Sequence, residues 1–138
     1  NKKDFTKELV RVAFSAMVCD SDIDETEKNK LKAITKTDFY FKEFDFEAEI
    51  DRLLDSYHIK GQNTVNMVLN NILSLSLDES QQMIILEVAI GMIRADKKIE
   101  QDEIDFVNQL IINLKIPSQI IKDRFGEWWI LSNIISLA

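Results

Sequence analysis

Residues 12–27 read VAFSAMVCDSDIDETE, and residues 88–103 read VAIGMIRADKKIEQDE. Each stretch holds an apolar segment, then an acidic turn that opens with Asp20 or Asp96, then a single Ile and an acidic helix start. The register between the two stretches is constant, because each residue of the first is matched 76 positions later in the second. This duplication predicts two helix–turn–helix repeats, over about residues 5–35 and 79–114.

Composition predicts one helical domain. The 138 residues are 46% hydrophobic, which is enough to bury a core, and we expect a single domain over residues 1–138. Tight turns depend on Gly and Pro, and the chain has 3 Gly and 1 Pro, so an all-β fold is disfavoured. The expected fold is an all-α bundle of seven to eight helices that contains the two repeats.

Apolar residues at three- and four-residue spacing predict the individual helices. We expect a helix cap at Asp24, paired with Glu27, and another at Asp78. Gly61 is expected to separate two helices, and Pro117 is expected to open the last helix. The aromatic-rich segment 38–46 is expected to form a short helical turn whose rings pack over a core edge, with an exposed aromatic binding patch as the alternative. The predicted helices cover residues 3–19, 24–37, 45–57, 62–75, 78–95, 100–114 and 117–125.

Small residues recur at matched places in the repeats, Ala13 with Ala89 and Ser15 with Gly91. Small side chains let two helices approach closely. A Gly inside a helix costs about 1 kcal/mol relative to Ala, and a close helix contact would offset that cost. We therefore expect the two long helices to pack on each other about a pseudo-two-fold axis, with Gly91 at the contact; a Gly tolerated there by chance is the alternative.

The charge balance narrows the classes of partner. The net charge of −7 argues against nucleic acid and anionic membrane surfaces and leaves cations and basic proteins as partners. The apolar run over residues 128–138 is shorter than the roughly 20 residues that cross a bilayer, so we expect no membrane span; it is expected to form a last core helix, or part of one that continues in a longer protein. The expected location is cytoplasmic. The single cysteine, Cys19, is expected in the core.

The paired motifs resemble those of the TerB-like family, named for a tellurite-resistance protein. A similar domain precedes the J-domain in some membrane-anchored bacterial co-chaperones. The family motif is an alanine-rich helix, then Ala-Asp-Gly-x-Ile, then an acidic helix start that ends in Glu. Residues 95–99 with Glu103, and 19–23 with Glu27, correspond to it, although Ser21 and Lys97 replace the Gly. The resemblance implies a helical bundle with acidic surface residues that bind divalent cations.

The acidic turns are the candidate site. Asp20, Asp22 and Asp24 repeat the start of an EF-hand loop, but Glu25 replaces the sixth-position Gly and Leu31 the twelfth-position Glu. The hypothesis is therefore a shallow site that holds Ca²⁺, Mg²⁺, Mn²⁺ or Zn²⁺ weakly. Its candidate ligands are Asp20, Asp22, Asp24, Glu27, Asp96, Glu100 and Glu103.

Helix capping is the alternative explanation for these acids. A carboxylate at a helix N-terminus is favourable by about 0.3–1 kcal/mol, which accounts for Asp24, Glu27 and Glu100. Asp20 and Asp96 follow the C-terminal end of the preceding helix, where negative charge is unfavourable. These two residues are therefore the strongest candidates for function.

Trp128 and Trp129 are candidate contacts to a partner, because two adjacent indoles cannot share one helix face; core packing of at least one of them is the alternative. His58 is expected at a helix end, and with Cys19 it falls well short of a zinc ligand set. No nucleophile, phosphate-binding loop or histidine base accompanies the acid pairs, so we expect no enzyme.

The sequence thus predicts a non-enzymatic binding or sensor domain of the TerB-like type, related to stress responses through that resemblance. Its acidic turns are expected to bind divalent cations or a basic partner protein. The alternative is a structural or protein-docking domain of a larger protein, such as a J-domain co-chaperone. The identity of the ion, the partner and the oligomeric state are left open.

Overall fold

The computed structural model describes residues 2–19, 25–37, 45–94 and 100–125, and these form an all-α bundle. Seven helices and no strand lie within these ranges. The helix periodicity of the sequence is confirmed, with most boundaries within about two residues of the predicted ones. The helices are α1 (Lys2–Val18), α2 (Glu25–Thr37), α3 (Glu47–Lys60), α4 (Gln62–Leu73), α5 (Glu79–Arg94), α6 (Gln101–Leu114) and α7 (Ser118–Phe125).

The predicted caps explain several of these boundaries. Gly61, with φ of 58°, turns the chain between α3 and α4 as expected. At the start of α5, Asp78 Oδ1 accepts the Gln81 N–H at 2.8 Å, and Gln81 Oε1 accepts the Asp78 N–H at 3.1 Å. This reciprocal pair is a capping box in which Asp and Gln take the usual roles. The helix predicted over residues 62–75 is shorter in the structure, because α4 ends at Leu73 and Leu75 is exposed.

The helix α1 lies at the centre of the bundle. It contacts α2, α3, α4, α5 and α6, and its most extensive contact is with α5. Residues 12–19 are all buried, because every side of this part of α1 faces another helix. The Phe14 ring packs edge-on against Tyr57 of α3, with centroids 6.4 Å apart and planes at 78°. The predicted contact between the two long repeat helices, α1 and α5, is confirmed, and the pseudo-two-fold axis stays a prediction.

The expected role of Gly91 in that packing is wrong. Ala13 and Ala89 are both buried, as the repeat predicts, and Ser15 is buried as well. Gly91, matched to Ser15, is exposed, and a Cβ built on it would meet nothing within 4 Å. Small size at this position therefore does not reflect a close approach of α5 to α1.

The structure also locates other residues that were expected in or near the core. Phe46 is buried, whereas the aromatic residues 39–41 and Phe44 lie outside the described residues. Cys19 is buried as expected, and its thiol donates to the Ala16 carbonyl at 3.3 Å. None of the helices in the described ranges is both long enough and apolar enough to cross a membrane.

Candidate functional site

The second acidic turn leads into α6 through a capping box. Glu100 is the N-cap residue, its side chain accepts the backbone N–H of Glu103, and Glu103 Oε1 accepts the Glu100 N–H at 2.8 Å. Glu103 is only 2% exposed. The repeat matches Glu100 and Glu103 to Asp24 and Glu27, the pair for which the sequence predicts the same arrangement. Glu100 and Glu103 thus have a structural role at the helix start.

The first acidic turn follows the C-terminal end of α1. The Val18 carbonyl accepts a hydrogen bond from Gln62 Nε2 at 3.1 Å and from the Tyr57 hydroxyl at 3.4 Å. Both donors are neutral, and the last turn of α1 contains no basic residue. The helix end therefore keeps its partial negative charge immediately before Asp20 in the sequence.

The remaining candidate residues can be placed only in part. Asp20, Asp22, Asp24 and Asp96 lie outside the described residues, as do Trp128 and Trp129. Glu27 belongs to α2, but its side chain is also outside the description. Within the described ranges, no three His, Cys, Asp or Glu side chains are close enough together to hold a metal ion. His58 is exposed in the last turn of α3, as expected.

An ionic cluster with two buried carboxylates, which the sequence did not predict, joins α1, α3 and α4. Glu49 accepts hydrogen bonds from Arg11 Nε at 3.0 Å and from Arg52 Nε and Nη2 at 3.0 and 2.6 Å. Glu8 accepts from Arg11 Nη1 at 3.2 Å and from Asn71 Nδ2 at 3.1 Å. Glu8 and Glu49 are 3% and 8% exposed. We call these five residues the Glu8–Glu49 cluster.

Two arginines and two glutamates give this cluster equal numbers of positive and negative charges. Burial by itself would raise the pKa of Glu49, but the hydrogen bonds and charges of Arg52 and Arg11 outweigh burial and lower that pKa below its ordinary value. A cavity of about 270 Å³ lies beside the cluster, lined by its two arginines and by residues of α3 and α4 that include Ser56 and Thr64. Those two hydroxyls bond each other at 3.0 Å. The cluster thus pairs its own charges and ties three helices together.

A larger cavity, about 650 Å³, lies between α5 and α7. Its floor is apolar and its rim is charged. Across it, Arg124 of α7 donates to Glu87 of α5 through Nε at 2.6 Å and also through Nη2. We call it the α5–α7 groove; its floor is Met83, Ile84 and Ile120, and its rim includes Glu79, Glu87 and Arg124.

Comparison with protein-family models, with curated proteins and with solved structures found no match to this chain. The TerB-like resemblance therefore depends on the motif residues of the two acidic turns.

Proposed function

We propose that the chain is a non-enzymatic binding domain of the TerB-like type whose acidic inter-helix turns hold a divalent cation weakly. A basic segment of a partner protein is the alternative ligand for the same turns, because it offers the same positive charge. The proposal combines the repeated motif with the charge at the helix end that precedes the first turn.

The observation that carries the proposal is the negative end of α1. The Val18 carbonyl is bonded by the neutral Tyr57 and Gln62, and the last turn of α1 has no basic side chain. Asp20 follows two residues later, so a full negative charge comes directly after a partial one. A bound cation would stabilise both, since helix C-termini favour positive charge by about 0.3–1 kcal/mol.

The capping box changes which of the candidate residues are proposed as ligands of the cation. Glu100 and Glu103 bond the backbone of α6, so the proposal gives them no direct part in binding the ion. The primary ligands in the proposal are Asp20 and Asp96, whose positions capping does not explain. Asp22, Asp24 and Glu27 contribute charge around the first of them. Affinity is weak, because the turns lack the Gly that lets an EF-hand loop wrap its ion.

A cation titration followed by backbone NMR tests the proposal. Addition of Ca²⁺, Mg²⁺, Mn²⁺ or Zn²⁺ to the wild-type chain should perturb the amide resonances of residues 20–27 and 96–103 before any others. The double variant Asp20→Asn with Asp96→Asn should lose this response. The matched control is Asp55→Asn with Asp105→Asn, which changes the net charge equally at two exposed helical positions.

The controls separate site binding from general charge. If the Asp55 and Asp105 control loses the response as fully as the turn variant does, net charge rather than a site is responsible. Turn amides that stay unmoved at saturating cation would show that the metal proposal is wrong. A lysine-rich peptide that moves the same amides in that case would identify the basic partner as the ligand.

A further inference from the structure

The helix α5 is apolar on two sides. One side packs into the core through Ile85, Leu86, Ala89, Ile90 and Ile93. The other side carries Met83, Ile84, Val88 and Met92, which are only partly buried. A helix that is hydrophobic all round is normally covered all round, because exposed apolar area is unfavourable in water. The outer side of α5 therefore needs a cover.

The α5–α7 groove lies along this outer side, at Met83 and Ile84. Its floor of Met83, Ile84 and Ile120 is partly exposed at the bottom of a cavity of about 650 Å³. The helix α7 forms the far wall and is anchored through buried Ile121 and the ion pair between Arg124 and Glu87. The gap between the two helices is thus wide enough to accept further apolar side chains.

The chain itself supplies a segment of matching chemistry at this place. Phe125, the last residue of α7, directly follows Arg124, which bonds Glu87 on α5. Thirteen residues follow Phe125, and the only charged one among them is Glu127. Eight of the thirteen are apolar, so this segment needs burial as much as the groove needs a cover. They are Trp128, Trp129, Ile130, Leu131, Ile134, Ile135, Leu137 and Ala138.

We propose that residues 127–138 pack back into the α5–α7 groove of their own chain, with at least one of Trp128 and Trp129 on its apolar floor. The reach is sufficient: the groove runs from Glu79 to Glu87 along α5, about 12 Å of helix, and the segment spans about 18 Å as a helix and more if extended. This inference is independent of cation binding, because it involves neither acidic turn.

Tryptophan fluorescence tests the proposal directly, because Trp128 and Trp129 are the two tryptophans of the chain. Excitation at the red edge, where tyrosine does not absorb, should give an emission maximum of the native chain well to the blue of the urea-unfolded one. Ile84→Lys on α5 and Ile120→Lys on α7 should each remove most of that blue shift. Both should also increase quenching by acrylamide, while far-UV circular dichroism keeps the helical signal.

The control is Ile112→Lys, the same substitution at an exposed position of α6, and its emission should equal that of the wild type. Native emission at the unfolded position would overturn the proposal, as would a blue shift that survives both groove variants. The groove would then be open to another protein, as a docking domain requires. A blue shift that disappears on dilution, together with dimers in sedimentation, would overturn the intrachain form and assign the segment of a second copy to the groove.

Discussion

Replacing Glu49 with Gln removes the carboxylate that joins Arg11 of α1 to Arg52 of α3. Gln keeps one acceptor oxygen but carries no negative charge, so the charge-assisted bonds from Arg11 and Arg52 are weakened; a hydrogen bond to a charged group contributes about 1.5–3 kcal/mol. Breaking a fully buried pair costs about 3–5 kcal/mol. Arg11 and Arg52 side chains are 27% and 58% exposed, however, so water partly replaces the lost contacts. We expect Glu49→Gln to lower the free energy of unfolding by about 1.5–3 kcal/mol.

Urea unfolding at several pH values measures this effect. At neutral pH the midpoint should fall by about 1 M, given a slope of roughly 2 kcal/mol per M. Glu49 has a lowered pKa in the folded state, so its contribution is complete above the ordinary value of 4.5 and is lost as the pH falls through the folded value. The difference between wild type and variant should therefore be full at neutral pH and shrink in acid.

The control is Asp51→Asn on the same helix. Asp51 lies 2.9 Å from Lys32 Nζ, but its side chain is 53% exposed, so this surface pair is expected to contribute at most about 1 kcal/mol. Equal midpoints for wild type and Glu49→Gln at neutral pH would refute the reasoning. So would a difference that persists unchanged in acid, because it would then not depend on the ionised carboxylate.

Five further variants test the fold and the turns by thermal or urea melts. Gly91→Ala should raise the free energy of unfolding by about 1 kcal/mol, since the added Cβ meets nothing. Ala13→Leu should lower the free energy of unfolding by about 1–3 kcal/mol through overpacking, because Ala13 is buried. Similar shifts for both variants would contradict the packing described. Glu103→Ala should cost about 0.5–2 kcal/mol, and Glu103→Gln, which keeps an acceptor for the N-cap amide, should stay near wild type. Asp20→Asn with Asp96→Asn should not lower the melting temperature of the cation-free protein, because charge is removed at unfavourable helix ends; a clear fall would assign these acids a structural role.

The positions of the helices could be read from the sequence because apolar spacing and caps act locally. Asp78 and Gly61 begin or end helices through contacts within a few residues, so their roles are visible in the order of residues alone. Local sequence patterns do not determine how a helix is rotated about its own axis in the bundle. Because α5 is apolar on both sides, its pattern does not show which side meets α1, and Gly91 was therefore placed on the wrong face.

The candidate site shows the same division. The capping box of Glu100 and Glu103 has the spacing that the repeat suggests, and it is confirmed in the described residues. The Glu8–Glu49 cluster had a weaker signal: two Glu-x-x-Arg steps on two helices, at residues 8–11 and 49–52. That spacing indicates a pair within each helix. The bond from Arg11 to Glu49 depends on how α1 and α3 pack, which local spacing does not contain. Cation binding at Asp20 and Asp96 stays a prediction.

The central position of α1 has a consequence for how the chain is made. Its most extensive partner, α5, begins at Glu79, about sixty residues after α1 ends. At a synthesis rate of roughly 5–20 residues per second, α1 leaves the ribosome several seconds before α5 exists. During that interval the apolar residues 12–19 have no completed core to enter, and contacts between distant parts of a chain form slowly. The side of α1 that packs on α5 is therefore left without its partner until the second repeat has emerged.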